Sequence, residues 1–287
     1  MFGVSPAYFF SSYTTTFTVE DYARGFELLA AEGFKGYQPE IFTSDRIEEW
    51  DKGAGALAAR GTDLGLSATQ FVAHFLLAAT KDESALFSDL GYREIAAVAK
   101  IATRFPGCAT VTLPIAPFTF PAGHSFDADA WLRAWDRLKE KLLRLASIVE
   151  AEGLRMSLEI VPGSLLGGTE GFMHFIAETG NTTIGYNFDT GHAWACKESI
   201  ATLPAKLAGR IYGTHLKDNF GYENLALPPG DGSIPWKSVI DGLLRTGYRG
   251  SFDLEIACAT PDEVQTAYAR GRATLEKVLN ASSYKHF

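Results

Sequence analysis

Four short apolar runs in the second half of the chain each close on a side chain able to ligate a metal ion, and this constrains the fold more than any other feature. They are MSLEI with Glu159, IGYNFD with Asp189, IYGTH with His215 and FDLEI with Glu255. Such runs suit strands covered on both faces, as in parallel α/β sheets. There the carboxyl ends of the strands carry the active site. Glu159, Asp189, His215 and Glu255 are therefore expected to converge from four successive strands. Close carboxylates repel one another unless a cation neutralises them, and no arginine stands beside these strand ends. One imidazole with three carboxylates is a mostly oxygen donor set. It points to one divalent ion, Mn2+ first, then Mg2+ or Co2+, and affinity alone does not exclude Zn2+.

The rest of the chain keeps the same rhythm. Strands are expected over residues 2–10, 36–42, 66–75 and 109–115, the second delivering Glu40 and Phe42 and the third His74. Thr18-x-x-Asp21 reads as a capping box, with Tyr22, Phe26 and Leu29 at helical spacing and Gly33 as the stop. The next helix, over 45–60, is weakened by Gly53 and Gly55. Helices follow over 89–104 and 128–152, the latter with Trp131, Trp135, Leu138, Leu142 and Leu145 as its apolar stripe. A Pro/Phe-rich loop over 114–125 lies between them. Thr169 is expected to cap a helix, Pro204 to interrupt a short one over 199–207, and Thr260-Pro261 to open the last, after a helix over 236–245. Strands alternating with helices imply parallel pairing and right-handed crossovers. Eight such units without a linker predict an α/β fold, a (β/α)8 TIM barrel, as a single domain over 1–287.

A net charge of −8 argues against a nucleic-acid partner, which needs a basic surface. No Gly-rich nucleotide loop follows any strand. The N-terminus lacks the basic region of a signal peptide, and no apolar run approaches a membrane span. Cys108, Cys196 and Cys258 lie far apart, as idle thiols in a reducing cytoplasm do. Cytoplasmic localisation is the expectation. Around the ligand set, His192 is a candidate substrate contact and Trp194 a wall of the pocket. Lys217 is placed to meet a substrate hydroxyl or phosphate, and Asp218 to orient His215 or Lys217. Glu40 and His74 are candidates for the pocket lining. His124, His174 and His286 have no supporting context and are read as surface or core residues.

LEI at 158–160, NFDTGH at 187–192, THLKDN at 214–219, GDGSIPW at 230–236 and GYRGSFDLEI at 247–256 occur in this order. With them the chain resembles the xylose-isomerase-like TIM-barrel superfamily of sugar isomerases and epimerases. The likeness is close in the second half and limited to the strand–helix rhythm in the first. It implies that Glu159, Asp189, His215 and Glu255 bind one divalent ion. It also implies that Glu159 and Glu255 form the acid/base pair and that His192 touches substrate. The expected activity is isomerisation or epimerisation of a keto-sugar or inosose-like substrate, a small carbohydrate or cyclitol, through an enediolate. Because the same enolate can expel a β-leaving group, the first alternative is a metal-dependent lyase or dehydratase on a 3-keto-glycoside or inosose. The metal subunit of C-glycoside deglycosidases, which works with a small partner subunit, resembles this barrel too. A non-catalytic sugar-binding module is the second alternative, and a homo-oligomer is compatible with either. Ketohexose 3-epimerases carry an arginine where this chain has Gly221 and a glutamate where it has Leu165, which argues against a free ketohexose. Abasic-site endonucleases of the superfamily need further histidines, which Leu113-Pro114-Ile115 and Ser233 do not supply.

Overall fold

Nine strand segments lie side by side in a computed structural model that describes residues 1–120 and 127–284. They are β1 (Phe2–Val4), β2 (Gly36–Tyr37), β3 (Ser67–Ala68), β4 (Phe71–Val72), β5 (Thr110–Ile115), β6 (Arg155–Ile160), β7 (Gly185–Asp189), β8 (Ile211–His215) and β9 (Phe252–Leu254). Every pairing between them is parallel. The order is β3-β2-β1-β9 in one group and β4-β5-β6-β7-β8 in the other. Parallel bridges from Leu216 to Leu254 and from Glu40 to Val72 join the groups at both ends. At the first seam the Leu216 amide donates to the Asp253 carbonyl at 2.8 Å, and the Glu255 amide to the Leu216 carbonyl at 3.1 Å. β3 and β4 are halves of one strand parted at Thr69 and Gln70, so nine segments fill eight positions. The ring is a (β/α)8 barrel.

The first half departs from the expected boundaries in ways that chemistry explains. The strand expected over 2–10 ends at Val4, and Ala7–Tyr13 is a helix. Ser5 and Pro6 turn the chain, the Ser5 hydroxyl accepting the Ala7 amide at 3.2 Å. Phe9 then stacks on Tyr22 at 3.6 Å, and Tyr22 meets Trp50 edge-on at 5.1 Å, which ties three helices together. The 66–75 strand is likewise shorter, because His74 opens a 3-10 turn, His74–Ala79. The capping box forms, with the Asp21 carboxylate accepting the Thr18 amide at 2.7 Å and Thr18 Oγ1 accepting the Asp21 amide at 3.2 Å. Helix Ile47–Asp63 runs unbroken through its glycines. At Gly53 a Cβ would come within 2.8 Å of Val19 Cγ1, so this glycine serves close helix packing.

Farther along, the long helix is Ala128–Glu150; Trp131, expected in its apolar stripe, is instead exposed and stacks on the buried Trp135 at 5.6 Å. Thr169 is the first residue of helix Thr169–Thr179 and does not cap it; the Glu198 carboxylate accepts its amide instead. Pro204 stands in the first turn of helix Leu203–Lys206, where its missing N–H leaves no intrahelical partner unpaired. The loop expected over 114–125 is described only up to 120, and His124 and His286 lie outside the described residues. No helix among the described residues is long and apolar enough to cross a membrane.

The barrel interior positions the site. Side chains alternate along a strand, so residues two apart share a face. The lower interior layer is polar: Gln70 Nε2 donates to Asn187 Oδ1 at 2.9 Å, Thr112 Oγ1 donates to Gln70 Oε1 at 2.6 Å, and Thr112 meets Ser157 at 2.8 Å. Gln38 joins Asp253 across the same layer at 2.9 Å. Two residues farther along β6, β7 and β8, and just beyond β9, stand Glu159, Asp189, His215 and Glu255. Gly213, without a side chain, leaves the space that the Gln70 amide fills.

Candidate metal centre

Glu159, Asp189, His215 and Glu255 each offer one donor atom such that all four atoms lie within 4.8 Å of one another. His215 Nδ1 is the hub, 2.7 Å from Glu159 Oε1, 3.2 Å from Glu255 Oε1 and 3.9 Å from Asp189 Oδ2. Asp189 is fixed by its other oxygen, which caps helix Thr190–Ala195 by accepting the His192 amide at 2.7 Å. The D-x-x-H spacing thus has a backbone cause: the carboxylate that ends β7 also starts the next helix. Lys217 Nζ enters the cluster from beyond β8, 2.8 Å from Asp189 Oδ2 and in contact with Glu255.

Charge dominates this buried cluster. Burial opposes ionisation of His215, yet the Glu159 and Glu255 carboxylates outweigh it and raise the imidazole to about 10. Burial would raise Glu159, but the charge and hydrogen bond of His215 win and hold it at about 2. Lys217 is likewise held above its ordinary range: burial works against its charge, and Asp189 and Glu255 overcome it. Three carboxylates therefore face two cationic groups, the His215 imidazolium and the Lys217 ammonium, and the cluster is one positive charge short. Exchange of the imidazolium proton for a divalent ion, with Lys217 kept, balances the three negative charges. The donor set fits such an ion.

The remaining candidates divide. A cavity of about 270 Å3 opens over the cluster, lined by Glu159, His192, His215, Lys217 and Glu255 on one side, with Glu40 and His74 also in its wall. Apolar groups including Phe10 and Leu77 complete it. His192 Nε2 lies 3.6 Å from Glu159 and 3.5 Å from Asp189, and its Nδ1 is 2.9 Å from Asn224 Oδ1. Glu40 is buried, and its Oε2 has no hydrogen-bond partner among the described residues. Burial, then repulsion from Glu255 and Glu159, pushes its carboxyl well above the usual range. His74 stacks on Phe42 at 3.9 Å, and burial lowers its pKa. Trp194 is not brought into this lining. Its indole N–H donates to Ser233 Oγ at 3.0 Å and its ring lies against Gly221. His174, read as surface or core, is exposed and stacks on Trp135 at 5.4 Å.

Asp218 orients neither His215 nor Lys217. Its Oδ1 accepts the amides of Asn219 at 2.9 Å and Ile234 at 3.1 Å; its Oδ2 accepts the Gly230 amide at 2.9 Å and the Trp236 indole at 2.8 Å. It is the knot that holds the GDGSIPW loop. Sequence reasoning missed Gln38, whose Oε1 lies 2.8 Å from His215 Nε2, and Asp253, which holds Gln38. It also missed Asn224. A signal for the first two was present, since Gln38 stands two residues before Glu40 and Asp253 two before Glu255.

A closed parallel barrel with three carboxylates and an imidazole gathered at the carboxyl ends of its strands defines a (β/α)8 scaffold with a candidate metal centre at its mouth. The chain belongs to the xylose isomerase-like TIM barrel family, whose model matches residues 26–278. Among curated proteins it is 24% identical over 169 residues to the rhizopine catabolism protein MocC of Rhizobium meliloti, covering 53% of this chain and 52% of that one. The uncharacterized protein MJ1311 of Methanocaldococcus jannaschii is 28% identical over 124 residues, 40% of this chain and 41% of that one. The chain thus spans about half or less of the curated relatives it matches. Among solved structures, an L-ribulose 3-epimerase superposes with a TM-score of 0.72 at 19% identity, covering 97% of this chain and 95% of that one. The IolI protein with a zinc atom superposes with a TM-score of 0.73 at 16% identity, covering 96% and 98%.

Proposed function

We propose that this chain is a divalent-metal-dependent isomerase or epimerase acting on a keto-sugar or inosose-like cyclic ketone through an enediolate. One observation carries the reading: Glu159 and Glu255, from well-separated strands, reach the same His215 nitrogen and so bracket one point on the cavity floor. Two carboxylates facing one carbon from different directions are what removal and return of an α-proton require. Glu159, Asp189, His215 and Glu255 would hold the ion, Mn2+ first and Mg2+, Co2+ or Zn2+ as its competitors, which would supply Lewis acidity to a ketone substrate. Glu159 and Glu255 exchange the proton, one taking it and the other returning it. Lys217 keeps a fixed positive charge beside Asp189 and Glu255, where negative charge develops on the substrate. His192 contacts a substrate hydroxyl, and Glu40 and His74 meet the far side of the ring. At about 30 Å3 per water the cavity holds about nine waters, the scale of a monosaccharide or cyclitol. The sugar epimerases among the structural neighbours support the same reaction class. We read the chain as one domain over 1–287.

The test is incubation of the Mn2+-loaded protein with keto-sugars, inososes and 3-keto-glycosides in D2O, followed by proton NMR. The reading expects α-deuteration with an isomerised or epimerised product. Elimination without such a product assigns a lyase instead, and no exchange with any member of the panel refutes the enediolate chemistry.

A further inference from the structure

His215 uses both ring nitrogens, and the one facing away from the carboxylates decides what the other can do. Nε2 lies 2.8 Å from Gln38 Oε1. Gln70 Nε2 is 3.5 Å away, but that amide is engaged at 2.9 Å with Asn187 Oδ1. An amide oxygen only accepts, so the contact with Gln38 requires a proton on Nε2. The orientation of the Gln38 amide is itself determined. Its Nε2 donates to Asp253 Oδ2 at 2.9 Å. Turning the amide over would set its oxygen against that carboxylate and its NH2 against the His215 N–H. Asp253 is in turn anchored by hydroxyl donors, Thr69 Oγ1 at 2.8 Å and Ser251 Oγ. Gln38, His215 and Asp253 are all at most 1% exposed, so water does not offer a substitute partner.

We propose that Gln38, locked in one orientation by Asp253, commits the proton of His215 to Nε2 and leaves Nδ1 as the ring nitrogen presented to a divalent cation. The proposal rests on the metal reading above and extends it to two positioning residues outside the ligand set. Without Gln38 the ring gains the opposite tautomer, with an N–H pointing at the place where a lone pair is needed. Outer hydrogen-bond partners of this kind change metal affinity by roughly 10- to 100-fold.

The experiment has two readouts. Long-range 1H–15N NMR of metal-free, histidine-labelled protein reports which His215 nitrogens carry protons, and titration calorimetry with Mn2+ alone reports affinity. Wild type is expected to show a protonated, hydrogen-bonded Nε2. Gln38→Leu is expected to keep the imidazolium proton but lose the hydrogen-bonded shift of Nε2–H, and to bind Mn2+ about 10- to 100-fold more weakly. Gln38→Glu sets a carboxylate against Asp253 and is expected to lose affinity as well. Adding Asp253→Asn restores a donor–acceptor pair with its direction reversed, the amide at 253 now donating, and leaves an acceptor for the His215 Nε2–H. The double variant is expected to return to within about threefold of wild type, far from additive. A merely structural role for Gln38 predicts additive losses and no such rescue. The wild-type spectrum needs no variant to fold: a bare Nε2 overturns the Gln38 assignment with the metal reading intact. Wild type that binds no divalent ion overturns the metal reading itself. Mn2+ affinity in Gln38→Leu within about twofold of wild type also overturns the proposal.

Discussion

Binding of a divalent ion at this centre must expel a proton, and the cost follows from the charges around His215. Its imidazole is raised to about 10 by Glu159 and Glu255, which overcome its burial. An ion on Nδ1 needs the neutral ring, so at about pH 7 roughly three units of stabilisation, about 4 kcal/mol, are given up on binding. The affinity for Mn2+ should therefore rise about tenfold per pH unit, or about 100-fold between about pH 6 and 8, with about one proton released. Calorimetry in two buffers of different ionisation enthalpy measures both quantities on the same samples. His215→Gln is the control: residual binding should lose its pH slope. The reasoning is refuted by wild-type affinity that changes less than about threefold over this range with no proton released. The same shifts set the stability of the metal-free protein. The folded pKa of His215 is raised, so its contribution is fully present below about pH 6.5 and is lost as pH rises through about 10. Glu159 is depressed to about 2, so its contribution is present above about pH 4.5 and is lost as pH falls through about 2. Metal-free protein should accordingly be most stable at mildly acid pH, and Mn2+ should move the optimum upward.

Five substitutions separate binding, chemistry and scaffold. Asp189→Ala should abolish stoichiometric metal in elemental analysis, because Asp189 is both a donor and the cap that sets His192. Glu159→Gln and Glu255→Gln should each suppress α-proton exchange while keeping much of the metal, since an amide still offers an oxygen but accepts no proton. His192→Asn should raise KM more than it lowers kcat in steady-state kinetics, as loss of a uniform substrate contact does. Asp218→Ala removes the acceptor of four hydrogen bonds in the GDGSIPW loop and should cost about 3 kcal/mol in urea unfolding with Mn2+ stoichiometry retained.

The parts of the molecule that were legible in the sequence are those where one physical cause acts alone. Strands covered by helices on one side and the barrel interior on the other give short, mostly apolar runs, and β5 to β9 were visible for that reason. β2, β3 and β4, two residues each, fall within the strands expected over 36–42 and 66–75 but are too short for a period to mark their ends. The run Tyr8-Phe9-Phe10 misled because aromatic residues bury equally well in a helix, and Pro6 breaks the strand before them. Lys217 was read as a substrate contact from its place two residues past a strand; its burial between Asp189 and Glu255 shows only once the ring is closed.

The buried polar layer was overlooked because polar residues inside strands were treated as interruptions of an apolar pattern. Their spacing carries the information instead. Gln38 precedes Glu40 by two residues, Ser157 precedes Glu159, Asn187 precedes Asp189 and Asp253 precedes Glu255. A period of two means that each pair faces inward on one strand, one level apart. The upper member of each pair lines the cavity or offers a donor atom at its floor. The lower members supply amides, hydroxyls and a carboxylate that pair with one another across strands. An apolar layer there would strand the Nε2–H of His215 without an acceptor in a dry interior, at a cost of about 1–3 kcal/mol. The polar layer is therefore a requirement of placing an imidazole whose two nitrogens do different work at the floor of a barrel. At the fifth inward pair the same logic replaces a side chain with none, since Gly213 precedes His215 and gives Gln70 its room.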